Sequence, residues 1–269
     1  MLTDRGGDGQ YARHFSQEFK GMEKHEIIRV SIAPLGMVNC HIVVGSKGSV
    51  LVDTGLPGSS HKVARALRSK GLLFSDIKLI VVTHAHIDHA GSAAHLRELT
   101  GAPIVAHADD LDFYLQKRPM TFCATGWFGR AFLRTGLIRR PYVPFTPDLL
   151  LQGGEFLALD RFGIDGAVRH TPGHTCGSIS VQLGGGDAMV GDLISSGILL
   201  GGIARTGKAK RPPFEDDPHA VADQLECLLD AGSQRFFMGH GGPLHAGEVR
   251  RHVESLRASG TKAPGPATE

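Results

Sequence analysis

Apolar and polar positions alternate in short runs along the first part of the chain. Glu26-Ile27-Ile28-Arg29-Val30-Ser31-Ile32 reads as a half-buried strand. Residues 40–44 and 49–53 read as two more, joined by a Gly45 to Gly48 turn, which predicts an antiparallel start. Val63, Ala66, Leu67 and Lys70 recur at helical spacing after Ser59 and Ser60, and Gly71 can end that helix. The run 78–82 predicts a buried strand, 92–100 a second helix with Leu96 and Leu99 on one face, and 103–106 a short strand.

The pattern breaks between about 108 and 147. Phe113, Tyr114, Phe122, Trp127, Phe128, Phe132, Tyr142 and Phe145 fall there among several Gly and Pro, in helical but interrupted order. This reads as an insert of helices and loops, serving either as an apolar cover over a site or as extra core. Strands resume at 155–159, 167–170, 178–183 and 188–190, then a Gly-rich, basic loop spans 195–217. Asp217-Pro218 supplies a cap and first position for a helix bearing Val221, Leu225, Leu228 and Leu229. A last strand at 235–238 and a helix over roughly 247–258 follow. Residues 1–22 and 259–269 read as flexible tails around a single domain, 23–258. The two halves mirror each other, and two mixed sheets packed face to face with helices outside satisfy both.

Composition narrows the partners. At 41% hydrophobic and 21% charged residues the chain is an ordinary globular protein, and a net charge of +2 is too weak to argue for nucleic acid or an anionic membrane. No apolar run has transmembrane length, the polar N-terminus has no signal-peptide core, and the four cysteines form no CxxC pair. The expectation is a cytoplasmic protein with free thiols and a small-molecule substrate, without nucleic acid or membrane, and with a homodimer allowed.

Candidate chemistry concentrates in Thr83-His84-Ala85-His86-Ile87-Asp88-His89, where a strand passes into a helix. Imidazole and carboxylate are ligand types of zinc and iron sites. Three more strand ends carry one such group each on a Gly-flanked loop: His174 in TPGHT, Asp192 in GD and His240 in GHGGP. Five His and two Asp exceed the needs of one tetrahedral ion and suit two. His107 and His170, near strand ends, are read as structural or as support for the ligands.

HxHxDH, TPGHT, GD and GHGGP in this order, after an earlier VDTG, resemble the metallo-β-lactamase-fold superfamily over about residues 27–256. The resemblance implies an α/β fold of four layers, an αββα sandwich. It implies that His84, His86 and His174 hold one metal, Asp88, His89 and His240 a second, that Asp192 bridges both, and that Asp53 orients the set. It implies two divalent ions, Zn2+ first, with Fe or Mn as alternatives. A metal-bridging hydroxide would attack the carbonyl of a small ester, lactone or thioester, with Asp88 as the catalytic proton carrier. A Tyr that quorum-signal lactonases carry three positions after the bridging Asp is Ser195 here, and the basic pattern of the glyoxalase type is not evident. Phe113, Trp127, Phe128 and Arg205 are the expected substrate contacts. The alternatives are an iron redox enzyme of the same fold, weak β-lactam hydrolysis, or a metal-holding protein that binds without catalysis.

Overall fold

A computed structural model describes residues 24–198, 201 and 204–258; the two expected tails lie outside the described residues. The first sheet has six strands in sequence order: β1 Glu26–Ser31, β2 Asn39–Gly45, β3 Gly48–Val52, β4 Ile77–Val81, β5 Ile104–His107 and β6 Leu149–Leu151. The β2–β3 hairpin closes with Gly45 opposite Gly48, as the turn residues predict. From β3 to β6 the pairing is parallel, through helical crossovers at Ser60–Arg68 and Ala93–Thr100 and then through the insert.

The second sheet contains β7 Phe156–Ala158, β8 Gly166–His170, β9 Ile179–Leu183, β10 Asp187–Met189, β13 Arg235–Phe237 and β14 Leu244–His245, ordered β14-β13-β10-β9-β8-β7. A separate pair, β11 Ser195–Ser196 with β12 Ala209–Lys210, gives structure to what reads in sequence as a plain loop. Two three-residue or shorter strands, β6 and β14, escape the sequence pattern because they are too short to show a period.

Three apolar cores separate four layers. Val50, Val52, Leu79 and Val81 point inward to meet Val168, Ile179, Val181 and Met189 of the opposite sheet. Their neighbours Leu51, Ile77 and Ile80 face the other way, onto Val63, Leu67 and Leu96 of the outer helices. Because both faces of β3 and β4 are covered, these strands are continuously apolar instead of alternating. On the far side, Val190 and Phe236 pack under Val221 and Leu225 of the Pro218–Asp230 helix and Val249 and Val253 of the Ala246–Ala258 helix. The Asp217 side chain accepts from the backbone N–H groups of His219 and Ala220, so the expected cap forms. This arrangement is the αββα sandwich.

The insert is neither wholly cover nor wholly core. Tyr114 and Phe145 are buried in the first sheet's outer core. Ile138 joins Ile87 and Phe214 in a small cluster with Phe122 and Phe132 packed on it.

Candidate metal centre

The chain ends of β3, β4, β5, β8, β10 and β13 all open onto one edge of the sandwich, where loops carry the polar groups. The His-rich stretch departs from the expected single loop. His84 and His86 sit on the loop after β4, but Asp88 and His89 lie inside a one-turn helix, Ile87–Ala90. That turn sends the two pairs in different directions.

His84 Nε2, His86 Nδ1 and His174 Nε2 converge, 3.0, 3.1 and 3.1 Å apart. Burial holds all three imidazoles below their usual pKa, His84 well below and His86 and His174 at about 3. Neutral rings cannot satisfy three lone pairs directed at one point; a cation can. The Asp192 carboxylate reaches toward this trio, with Oδ2 3.8 Å from His174 Nε2. The same Oδ2 is 3.0 Å from His240 Nε2, and Asp192 Oδ1 is 3.4 Å from His89 Nε2. Asp88 Oδ2 completes the second group, 3.4 Å from His240 Nε2. The buried atoms His89 Nε2 and Asp192 Oδ1 have no hydrogen-bond partner. Two divalent ions fit these residues, since they would satisfy the orphaned atoms and the converging lone pairs together.

Charge in the second group differs from the first. Burial works against a charged His240, but the Asp192 carboxylate outweighs it and pushes the ring up to about 9. For His89 burial is again opposed, here by Asp192 and Asp53, and the pKa rises well above the usual value. Burial would raise Asp192, yet His240 and His89 hold it well below the usual carboxylate range.

A layer of support fixes these rings. Asp53 accepts from the Thr83 N–H and hydroxyl, both at 2.8 Å, and from His89 Nδ1 at 2.8 Å, so His89 Nε2 faces the site. With its hydrogen given to Asp53, the Thr83 oxygen accepts from His84 Nδ1 at 3.0 Å, which turns His84 Nε2 inward. His240 Nδ1 donates to the Met37 carbonyl, and Phe122 stacks on His86 with ring centres 5.0 Å apart. At Gly239 a Cβ would lie 2.3 Å from His89 Cε1 and 2.5 Å from Asp192 Oδ1, so no side chain fits.

Two supporting residues have no obvious sequence signal. Asp110 accepts from the Ala85 N–H, the Thr175 hydroxyl and the Gly177 N–H, each at 3.0 Å, and so ties the loop of His84 and His86 to that of His174. Burial raises it to about 6 despite those donors. Asn39 Nδ2 donates to the Gly36, Gly239 and Gly241 carbonyls, fastening the His240 loop to the first sheet. The ADD run holding Asp110 follows a predicted strand, which is the one clue available; Asn39 offered none. His107 and His170 stack on each other at 3.7 Å and form with Asp109 a third His/Asp group, apart from the two that meet at Asp192.

Above the two groups lies a cavity of about 580 Å³. Its floor includes His86, Asp88, His174, Asp192 and His240, and its walls include Leu56, Ile87, Phe132, Ile138 and Phe214, with Arg140 among the residues that line it. None of the four expected substrate contacts lines it. Phe113 faces an adjoining hollow and packs under Arg118; Trp127 is 76% exposed; Phe128 is half-buried against Phe132; Arg205 is exposed on the loop between β11 and β12. In a broken helical segment the sequence does not say which aromatic ring turns inward. The basic cluster of the 195–217 loop also points elsewhere: Lys208 pairs with Glu248 and Arg211 with Glu215.

Comparison with known proteins bears on this geometry. Residues 33–247 match the family described as "Metallo-beta-lactamase superfamily". The chain is 30% identical over 182 residues, 66% of this chain and 74% of the relative, to the "Probable metallo-hydrolase YqgX" of Bacillus subtilis (strain 168). It is 28% identical over 217 residues, 79% of this chain and 90% of the relative, to the "Hydroxyacylglutathione hydrolase GloC" of Haemophilus influenzae. The glyoxalase branch, set aside on sequence pattern, is therefore among the relatives. In fold, it matches a metallo-beta-lactamase family protein from Thermus thermophilus with a TM-score of 0.61 at 24% identity, covering 87% of this chain and 78% of that one. Among the described residues no helix is long and apolar enough to cross a membrane. Family match, sandwich and paired His/Asp groups agree: the chain belongs to the metallo-β-lactamase superfamily, as one of its metal-dependent hydrolases.

Proposed function

We propose that this hydrolase cleaves a small ester, lactone or thioester at two divalent ions, Zn2+ in the first instance. The observation that carries the reading is the position of both His/Asp groups in the floor of one apolar cavity. His84, His86 and His174 would hold one ion, Asp88, His89 and His240 the other, and Asp192 would touch both. Nitrogen-rich sets completed by carboxylate suit zinc. When bound, the ions would supply an ionised water near neutral pH and polarise the substrate carbonyl.

The chain's own residues do the rest. Apolar walls exclude bulk water and receive the acyl group. Asp88 faces the cavity and can carry a proton from the attacking water to the leaving sulfur or oxygen. Asp53 and Thr83 hold the imidazoles in the tautomers that direct lone pairs inward. A relative named as a hydroxyacylglutathione hydrolase supports thioesters within this class.

The test is turnover of an ester, lactone and thioester panel by protein stripped of metal and then reloaded with Zn2+. Activity is expected only in the reloaded protein and is expected to vanish in Asp88→Ala. Full turnover by stripped protein would overturn the proposal, and iron by mass spectrometry with oxygen-dependent turnover would transfer it to a redox enzyme.

A further inference from the structure

The insert carries a charge pattern that the metal chemistry does not use. Between residues 113 and 147 stand six cations, Lys117, Arg118, Arg130, Arg134, Arg139 and Arg140, and no Asp or Glu, although the chain as a whole is almost balanced. Among the described residues none of the six forms an ion pair. Arg118 lies over the Phe113 ring at 4.3 Å, which fixes it without neutralising it. Arg211 and Arg235, half-buried elsewhere in this chain, do pair with carboxylates.

These cations are not scattered. Lys117, Arg118, Arg139 and Arg140 line a hollow of about 280 Å³ that contains no carboxylate. Ile87, Ile138, Arg140 and Pro141 line both this hollow and the metal cavity, so the two spaces share a wall. One is apolar with the ions' ligands in its floor. The other is cationic and open to water. A molecule spanning both must be apolar at the scissile acyl group and strongly anionic beyond it.

We propose that the insert selects esters or thioesters whose acyl half is apolar and whose other half bears phosphate, held by Arg139 and Arg140 with Lys117 and Arg118. Guanidinium forks match phosphate and carboxylate alike, and it is the gathering of four cations without an acid among them that suits the multiple charge of phosphate. This rests on the hydrolase reading above. The reaction balances as simple hydrolysis: the water oxygen joins the acyl carbon, the carbon–sulfur or carbon–oxygen bond breaks, and a water proton ends on the leaving thiol or alcohol. The phosphate could sit on a soluble carrier or on a phospholipid; the insert's chemistry is the same for both, and the exposed Trp127 and Val143 lie on the same segment.

The test compares zinc-loaded wild type with the Lys117→Gln/Arg139→Gln double variant, whose two residues line the cationic hollow and not the metal cavity. Substrates are decanoyl-coenzyme A and the uncharged decanoyl thioester of N-acetylcysteamine. The double variant is expected to raise KM for the phosphate-bearing thioester roughly ten-fold at unchanged kcat, and to leave the uncharged one within about two-fold. Retained turnover of the uncharged thioester also shows that the variant is folded. Binding is read separately with S-decyl-coenzyme A, a thioether that is not cleaved, through the fluorescence of Trp127, the sole tryptophan. Vesicles of phosphatidylglycerol in phosphatidylcholine form the lipid arm. Co-sedimentation with a blue shift of Trp127 places the phosphate on a lipid; binding of S-decyl-coenzyme A without vesicle binding places it on a soluble carrier. Hydrolysis of the uncharged thioester with no preference for the charged one, or equal loss for both in the double variant, overturns this proposal alone. If wild type cleaves neither thioester but turns over another member of the ester and lactone panel, this proposal alone falls; if it turns over no member, the hydrolase reading fails and this one with it.

Discussion

The two halves of the metal centre should differ in the pH dependence of metal binding, one nearly flat and the other tightening as pH rises. His84, His86 and His174 are neutral at pH 7, with no proton to displace. His89 and His240 have raised pKa values, His240 at about 9, and in the metal-free chain they carry protons that Asp192 stabilises. An ion at Asp88, His89 and His240 must expel those protons. At about pH 7 the His240 proton alone, two units below its pKa, weakens that ion's apparent affinity about 100-fold, or about 2.7 kcal/mol. Raising the pH by one unit should then tighten it about ten-fold, and more if His89 contributes. The assay is Zn2+ titration against a competing chelator between about pH 6.5 and 9, with proton release followed by calorimetry in buffers of different ionisation enthalpy. Thermal stability supplies an independent check. A raised histidine pKa stabilises the fold fully below its unfolded value near 6.5, and that stability is lost as pH rises through about 9. Metal-free protein should therefore lose Tm across this window, while the zinc-loaded form should not. Two ions with equal, pH-independent affinities and no proton release would refute the reasoning.

Other substitutions test the supporting layer. Asp53→Ala removes the acceptor that orients His89, and should weaken binding of the Asp88/His89/His240 ion roughly 10–100-fold in the same titration. Asp110→Ala strands the buried Ala85 and Gly177 N–H groups; a loss of about 2–4 kcal/mol in denaturant unfolding is expected, with misplacement of His174 seen as reduced zinc stoichiometry. Gly239→Ala drives a methyl group into His89 and Asp192, and should abolish hydrolysis with little change in the circular dichroism spectrum. Phe122→Ala unstacks His86 and should lower affinity for the first ion; unchanged affinity would mean that the histidine loop is rigid without it.

Local pattern carried much of this protein. The β2–β3 hairpin was legible because a Gly-bounded turn separates two apolar runs, and the Pro218–Asp230 helix because Asp217-Pro218 caps a periodic face. The metal-capable residues were legible because they cluster just after predicted strands, although Asp88 and His89 proved to lie in a one-turn helix and not on the loop itself. What distance in sequence conceals was decided by the sheets. Asp110 and Asn39 look like ordinary polar residues until packing brings Ala85 beside Gly177 and Gly36 beside Gly239. The insert misled for a related reason. Its aromatic content allowed either a cover or extra core, and which rings face the cavity depends on how Trp127–Arg134 rolls against Ile87 and Phe214. So Phe132 entered the cavity while Trp127 stayed outside. Sequence determined which side chains can ligate a metal, because ligand atoms are a property of residue type. Tertiary structure decided the geometry and the company each group keeps, because burial and nearby charge exist only once the two sheets have met.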